Sequence, residues 1–121
     1  MAKRLPEDKV LPNAQKAIAS FHADILAEVE AAIAANDLVV VGMSQNPFVK
    51  RARKALKNAG YTFTYLEYGS YLGEWKKRLA IKMWSGWPTF PMVFVKGKLF
   101  GGAVDLEKAI ADGSFKTLVE G

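Results

Sequence analysis

Apolar residues recur at three- and four-residue spacing between about Asn13 and Ala35, at Ile18, Phe21, Ile25, Val29, Ala32 and Ile33. This spacing predicts one amphipathic helix with Asn13 placed to cap it, ended by Asn36-Asp37. The run "LVVVGM", 38–43, does not alternate, so it predicts a short strand covered on both faces, as in a parallel α/β sheet. Phe48, Ala52, Ala55, Leu56 and Ala59 mark the inner stripe of a second helix, which Gly60 closes. "YTFTYLEY", 61–68, alternates as a second strand. After Gly69-Ser70, the residues Leu72, Trp75, Leu79 and Met83 form the stripe of a third helix, and "GWPTFP" interrupts the pattern with two prolines. "MVFVKGKLFGG" reads as two short strands joined around Lys96-Gly97. A fourth helix starts near Asp105, turns Leu106, Ala109 and Ile110 inward and ends at Gly113. Ser114 is placed to cap a last turn carrying Phe115, Leu118 and Val119. The expected order is α, β, α, β, α, β, β, α without internal repeats. Residues 1–12, with Pro6 and Pro12, form a flexible lead-in to a single domain over 13–121.

Composition narrows what such a domain can do. The chain has 121 residues, half of them hydrophobic, and a chain of this size buries about two-thirds of its unfolded surface, enough for one core. It has no cysteine, which excludes disulfides, thiolate metal ligands and thiol nucleophiles supplied by the chain itself. One histidine and scattered carboxylates have no metal-ligand spacing. The start, "MAKRLPEDKVLPNAQ", lacks an apolar leader core, and no long uncharged apolar run follows, so the expectation is a cytoplasmic protein that engages no membrane. Net charge is +5, and between Lys50 and Lys98 eleven Lys or Arg face only Glu67 and Glu74. Such a field attracts anions without selecting one, and solvated helix faces are its simplest cause. Nucleic acid is the least favoured partner, because the basic helix from Lys50 to Lys57 lacks interleaved aromatics on its basic face.

The order of elements together with "NPFVKRARKAL", "WPTFP" and "GG" resembles the glutaredoxins, and "SGWPTFPMVFVKGKLFGG" is most similar to their monothiol branch. The likeness covers about Leu38 to Val119. It implies an α/β, thioredoxin-like fold, with a four-stranded mixed sheet flanked by helices and an extra N-terminal helix. It also implies a Thr-X-Pro turn with a cis proline. On the family's pattern the reactive cysteine falls on Asn46, and the second cysteine of dithiol members falls on Val49, so no catalytic residue is expected. Asn is a strong N-cap and Pro suits the first helical position, which makes Asn46-Pro47 a good helix start.

Glutathione is the ligand the resemblance implies, and its anchor positions are expected at Arg78 and Lys82 for a carboxylate. Thr89, Phe90 and Pro91 match the backbone turn, and Gly101 and Gly102 match the family's paired glycines, followed by Ala103 and Val104. Two anchors are missing. A family lysine falls on Met43, and the family's Cys or Ser and Asp after the glycines are Ala103 and Val104 here, leaving Asp105 as the nearest acid. Losing a charged hydrogen bond of this kind costs about 1.5–3 kcal/mol, one to two decades of affinity, so glutathione is expected to bind weakly. An iron–sulfur cluster has no cysteine to hold it.

Trp75, Trp84 and Trp87 fit core or partner surface, and His22 fits a structural role. Glu67 lies between Tyr65 and Tyr68 with no second acid–base partner evident. The leading expectation is a glutaredoxin-related binding or adaptor module without thiol redox activity, holding a protein partner or a small anionic or peptide-like ligand. The alternatives are an oxidoreductase whose cysteine comes from a partner, and anion or nucleic-acid binding through the basic helix.

Overall fold

Five consecutive buried residues, Leu38–Gly42, form β1 in the interior of the sheet. The computed structural model describes residues 5–70 and 73–121; Leu72 of the expected third stripe lies outside them, as does the side chain of Ile18. β2 (Thr64–Glu67) pairs parallel with β1, while β3 (Met92–Val95) pairs antiparallel with its other edge and β4 (Lys98–Gly101) with β3. The resulting four-stranded sheet has the order β2-β1-β3-β4. Its helices are α1 (Pro12–Ser20), α2 (Ala23–Ala35), α3 (Pro47–Asn58), α4 (Trp75–Ser85), α5 (Ala103–Asp112) and α6 (Ser114–Glu120), after a 3-10 turn at Glu7–Lys9.

The two-residue period of a strand explains why β1 is apolar throughout. Val39 and Val41 enter one layer with Ile25 and Val29 of α2, Ile81 of α4, Met92 and Phe94. Leu38 and Val40 enter the other with Ala52 and Leu56 of α3, Leu106 and Ala109 of α5, and Phe115 of α6. Gly42 lets α3 close onto the end of the strand: a Cβ there would lie 2.7 Å from Val49 Cγ1 and 3.2 Å from the Tyr65 ring. The β3–β4 turn uses Lys96 and Gly97 at φ +50° and +80°, the left-handed pair a two-residue hairpin needs. Lys96 also donates from its N–H to Asp37 O and from Nζ to Gly121 O, each at 2.7 Å. Gly60, at φ +86°, closes α3 by donating to Lys57 O while Tyr61 N–H reaches Leu56 O.

Several expectations need correction. The single helix over 13–35 is two, divided at Phe21-His22 with His22 at φ +47°. The Ser20 hydroxyl turns back to Ala17 O, and the chain restarts from His22 O, which accepts from Ile25 and Leu26 N–H. Asn13 is therefore the second residue of α1, not its cap. On α3 the buried stripe is Val49, Ala52 and Leu56, whereas Phe48 and Ala59 are exposed. β2 is confined to four residues of the expected eight. On α4 the expected stripe is outward: Trp75, Leu79 and Met83 are exposed, and Arg78, Ala80 and Ile81 are buried. α5 begins two residues before Asp105, whose carboxylate reaches back to Gly102 N–H. Ser114 is the first residue of α6, not its cap.

Candidate functional site

Strand register brings three loops to one end of the sheet. Val41 pairs with Met92, so the chain leaving β1 through Ser44–Asn46 lies beside the turn ending at Pro91. Val93 pairs with Gly101, which places Gly101-Gly102 and the start of α5 at that end. Gly42 pairs with Glu67, and beyond them Ser44 donates from both N–H and Oγ to Gly69 O, at 2.8 and 3.1 Å. The Phe90-Pro91 peptide bond is cis. A Cβ on Gly102 would stand 3.7 Å from Pro91 O and 3.8 Å from the Trp87 ring, so these three residues form one wall.

The two helix starts facing this end differ in chemistry. Asn46 is buried, and its Oδ1 accepts from Phe48 N–H at 2.9 Å and Val49 N–H at 3.1 Å. Pro47 has no N–H to offer, so the first turn of α3 is closed. At α5 the cap is Gly102, its own N–H goes to Asp105 Oδ2 at 3.2 Å, and the first helical bond is Leu106 N–H to Gly102 O. The N–H groups of Ala103 and Val104 thus begin a helix without intrahelical partners. Ala103 is buried and Val104 is 46% exposed. Gly101 sits at φ +147°.

The cations are arranged unequally. Arg78 is 8% exposed, and its Nη1 donates to Tyr68 O at 3.0 Å and Gly73 O at 2.6 Å, tying the loop between β2 and α4. Lys82, one turn on, holds its ammonium 5.6 Å from the centroid of the Phe90 ring. Thr89 is exposed and Phe90 buried. Trp87 Nε1 is buried without a hydrogen-bond partner. Met43, where the resemblance placed a family lysine, is a core residue.

The sequence sets Glu67 between Tyr65 and Tyr68 without a second titratable partner, and the fold pairs Tyr65 with Glu67 and supplies Glu28 to Tyr68. Tyr65 donates to Glu67 Oε1 at 2.9 Å beneath the Arg53 guanidinium, which stacks 3.9 Å from its ring centroid. Burial first, then the bond to Glu67, pushes the Tyr65 phenol up to about 12. Tyr68 donates to Glu28 Oε1 at 2.6 Å, and burial followed by that bond raises it further. A phenol raised above its unfolded value of about 10 holds its proton more tightly when folded, so its contribution is complete below about pH 10 and is lost as pH climbs toward 12. Urea midpoints should therefore fall between pH 10 and 12, and the double substitution Tyr65→Phe and Tyr68→Phe should flatten that fall. An equally steep decline in the double variant refutes the assignment. The Glu28 partner, forty residues away in sequence, carried no local signal.

A family profile for glutaredoxins matches residues 38–100. A glutaredoxin-like protein of Dictyostelium discoideum is 46% identical over 106 residues, covering 88% of this chain and 86% of its own. Glutaredoxin-C6 of Oryza sativa subsp. japonica is 32% identical over 80 residues, covering 66% of this chain and 71% of its own. Among solved structures, oxidized glutaredoxin 2 of Chlamydomonas reinhardtii superimposes with a TM-score of 0.70 at 25% identity, over 81% of this chain and 92% of that one. With its four-stranded mixed sheet flanked by helices, the chain has the thioredoxin-like glutaredoxin fold, and it belongs to the glutaredoxin family.

Proposed function

We propose that this chain is a binding or adaptor module without thiol redox activity, which takes a peptide-like anion such as glutathione, or a segment of a protein partner, along the wall formed by Thr89-Phe90-Pro91 and Gly101-Gly102. The observation that carries this reading is the closed start of α3. Attack on a disulfide requires a thiolate, and at this position stands an amide whose oxygen already holds two backbone N–H groups. The same amide cannot ligate an iron–sulfur cluster in place of a cysteine.

Anion binding then shifts along the groove. The Ala103 and Val104 N–H groups supply donors at α5, where the helix dipole favours negative charge. Lys82 supplies a cation beside Phe90, and Arg78 supports the groove by holding the Tyr68 and Gly73 carbonyls. Calorimetric titration with reduced glutathione tests the reading. Weak binding is expected, and Lys82→Ala should lower it about tenfold or more, the cost of one charge-assisted hydrogen bond of about 1.5–3 kcal/mol. No heat with the unsubstituted chain removes glutathione as the ligand. Reduction of a glutathione mixed disulfide by this chain overturns the redox-inactive reading.

A further inference from the structure

We infer that the outward face of α4 is a docking ridge for an acidic amphipathic helix of a protein partner. The ridge lies outside the wall beside Pro91, and Lys82 borders both. Trp75, Leu79 and Met83 are 59%, 39% and 39% exposed, and their spacing of four residues aligns them along about 12 Å of helix. Helices in soluble domains normally turn polar residues outward, and here the crest of the helix is apolar. Rows of residues four apart are the ridges that fit the grooves of a second helix.

Charge specifies the occupant. At 100° per residue, Lys82 projects about 20° outside Trp75 on one edge of the ridge and Lys76 about 20° outside Met83 on the other. The Lys76 ammonium lies 5.7 Å from the Trp75 ring centroid. From Trp75 to Ser85 there is no acidic residue, and Glu74, just before the helix, is paired with Lys77 at 2.8 Å. An apolar stripe edged by Glu or Asp on both sides complements this face. A second copy of the chain does not, because it would set lysines against lysines in a molecule of net charge +5. A lipid surface is also the poorer fit: the basic helix α3 packs on the opposite face of the sheet from α4, so only the few α4 lysines would meet the headgroups.

The test uses the full chain, labelled with 15N, and an 18-residue helical peptide with one leucine stripe edged by glutamates. A control peptide carries lysine in place of every glutamate. Amide shifts should centre on 75–83, with the glutamate peptide binding at least tenfold more tightly than the control. Leu79→Ser and, separately, Lys76→Glu should each weaken binding at least fivefold with unchanged thermal unfolding, and the charge reversal retains the apolar crest should the first variant fold poorly. Equal affinity for the two peptides, no binding of the glutamate peptide, shifts centred elsewhere, or indifference to both substitutions overturns the proposal. Binding to phosphatidylserine vesicles without binding to the acidic peptide overturns it in favour of lipid. A dimer that Leu79→Ser dissociates overturns it in favour of self-association.

Discussion

Asn46→Cys is expected to introduce thiol–disulfide chemistry into a chain that has no cysteine. The Phe48 and Val49 N–H groups, 2.9 and 3.1 Å from Asn46 Oδ1, would be released to a sulfur at the same helix start. A thiolate there gains those donors and the positive end of the α3 dipole. Thiols at helix N-termini titrate at about 3.5–7.5 in place of about 8.5, so the pH profile of iodoacetamide alkylation should have its midpoint below about 7.5. Glutathione-dependent reduction of a mixed disulfide should rise from background to a measurable rate. A thiol that titrates at about 8.5 in a folded variant would mean that the closed start of α3 has no latent preference for an anion. A lowered alkylation midpoint without turnover would place the defect in the proposed ligand contacts rather than at the helix start.

Phe115→Ala is expected to cause the largest loss of stability among single core truncations. The side chain is fully buried and meets Tyr61 and Phe100 edge-on, with ring centroids 5.3 and 5.4 Å away. It is the buried anchor of α6, a helix of seven residues, too short to persist without tertiary packing. Removing a buried Phe ring costs about 3–5 kcal/mol, read as a lower urea midpoint. Leu118→Ala on the same helix removes a side chain that is 46% exposed, and should cost no more than about 0.5 kcal/mol. Equal effects of the two substitutions would contradict the packing of α6.

Where the sequence was legible, local chemistry and tertiary structure agree. Lys96-Gly97 joins the two expected strands, as a left-handed pair, and Asn46-Pro47 caps and begins α3 as the residue types suggest. Leu38 to Val41 read as doubly buried and are. The α4 face was misassigned because periodicity reports which residues share a face and not which way that face points. Arg78 takes an inward position for its bonds to Tyr68 O and Gly73 O, and no pattern within the helix records those acceptors. The helix then presents Trp75, Leu79 and Met83 to solvent. The α1–α2 break likewise has no Gly or Pro to announce it, and His22 accepts a left-handed conformation at a non-glycine position. At the site, Asn46 as a cap was readable from residue type, while the turn of Asp105 back to the Gly102 N–H is set by the folded geometry of α5.

The hairpin lysine carries a practical consequence. Lys96 N–H reaches Asp37 at the entry to β1, and its Nζ holds the Gly121 carbonyl, whereas Pro91, Gly102 and Asn46 gather at the other end of the strands. An affinity handle, dye or sensor surface coupled through Gly121 therefore sits a full strand length from Pro91 and Gly102, and immobilisation by that route leaves the proposed binding wall clear.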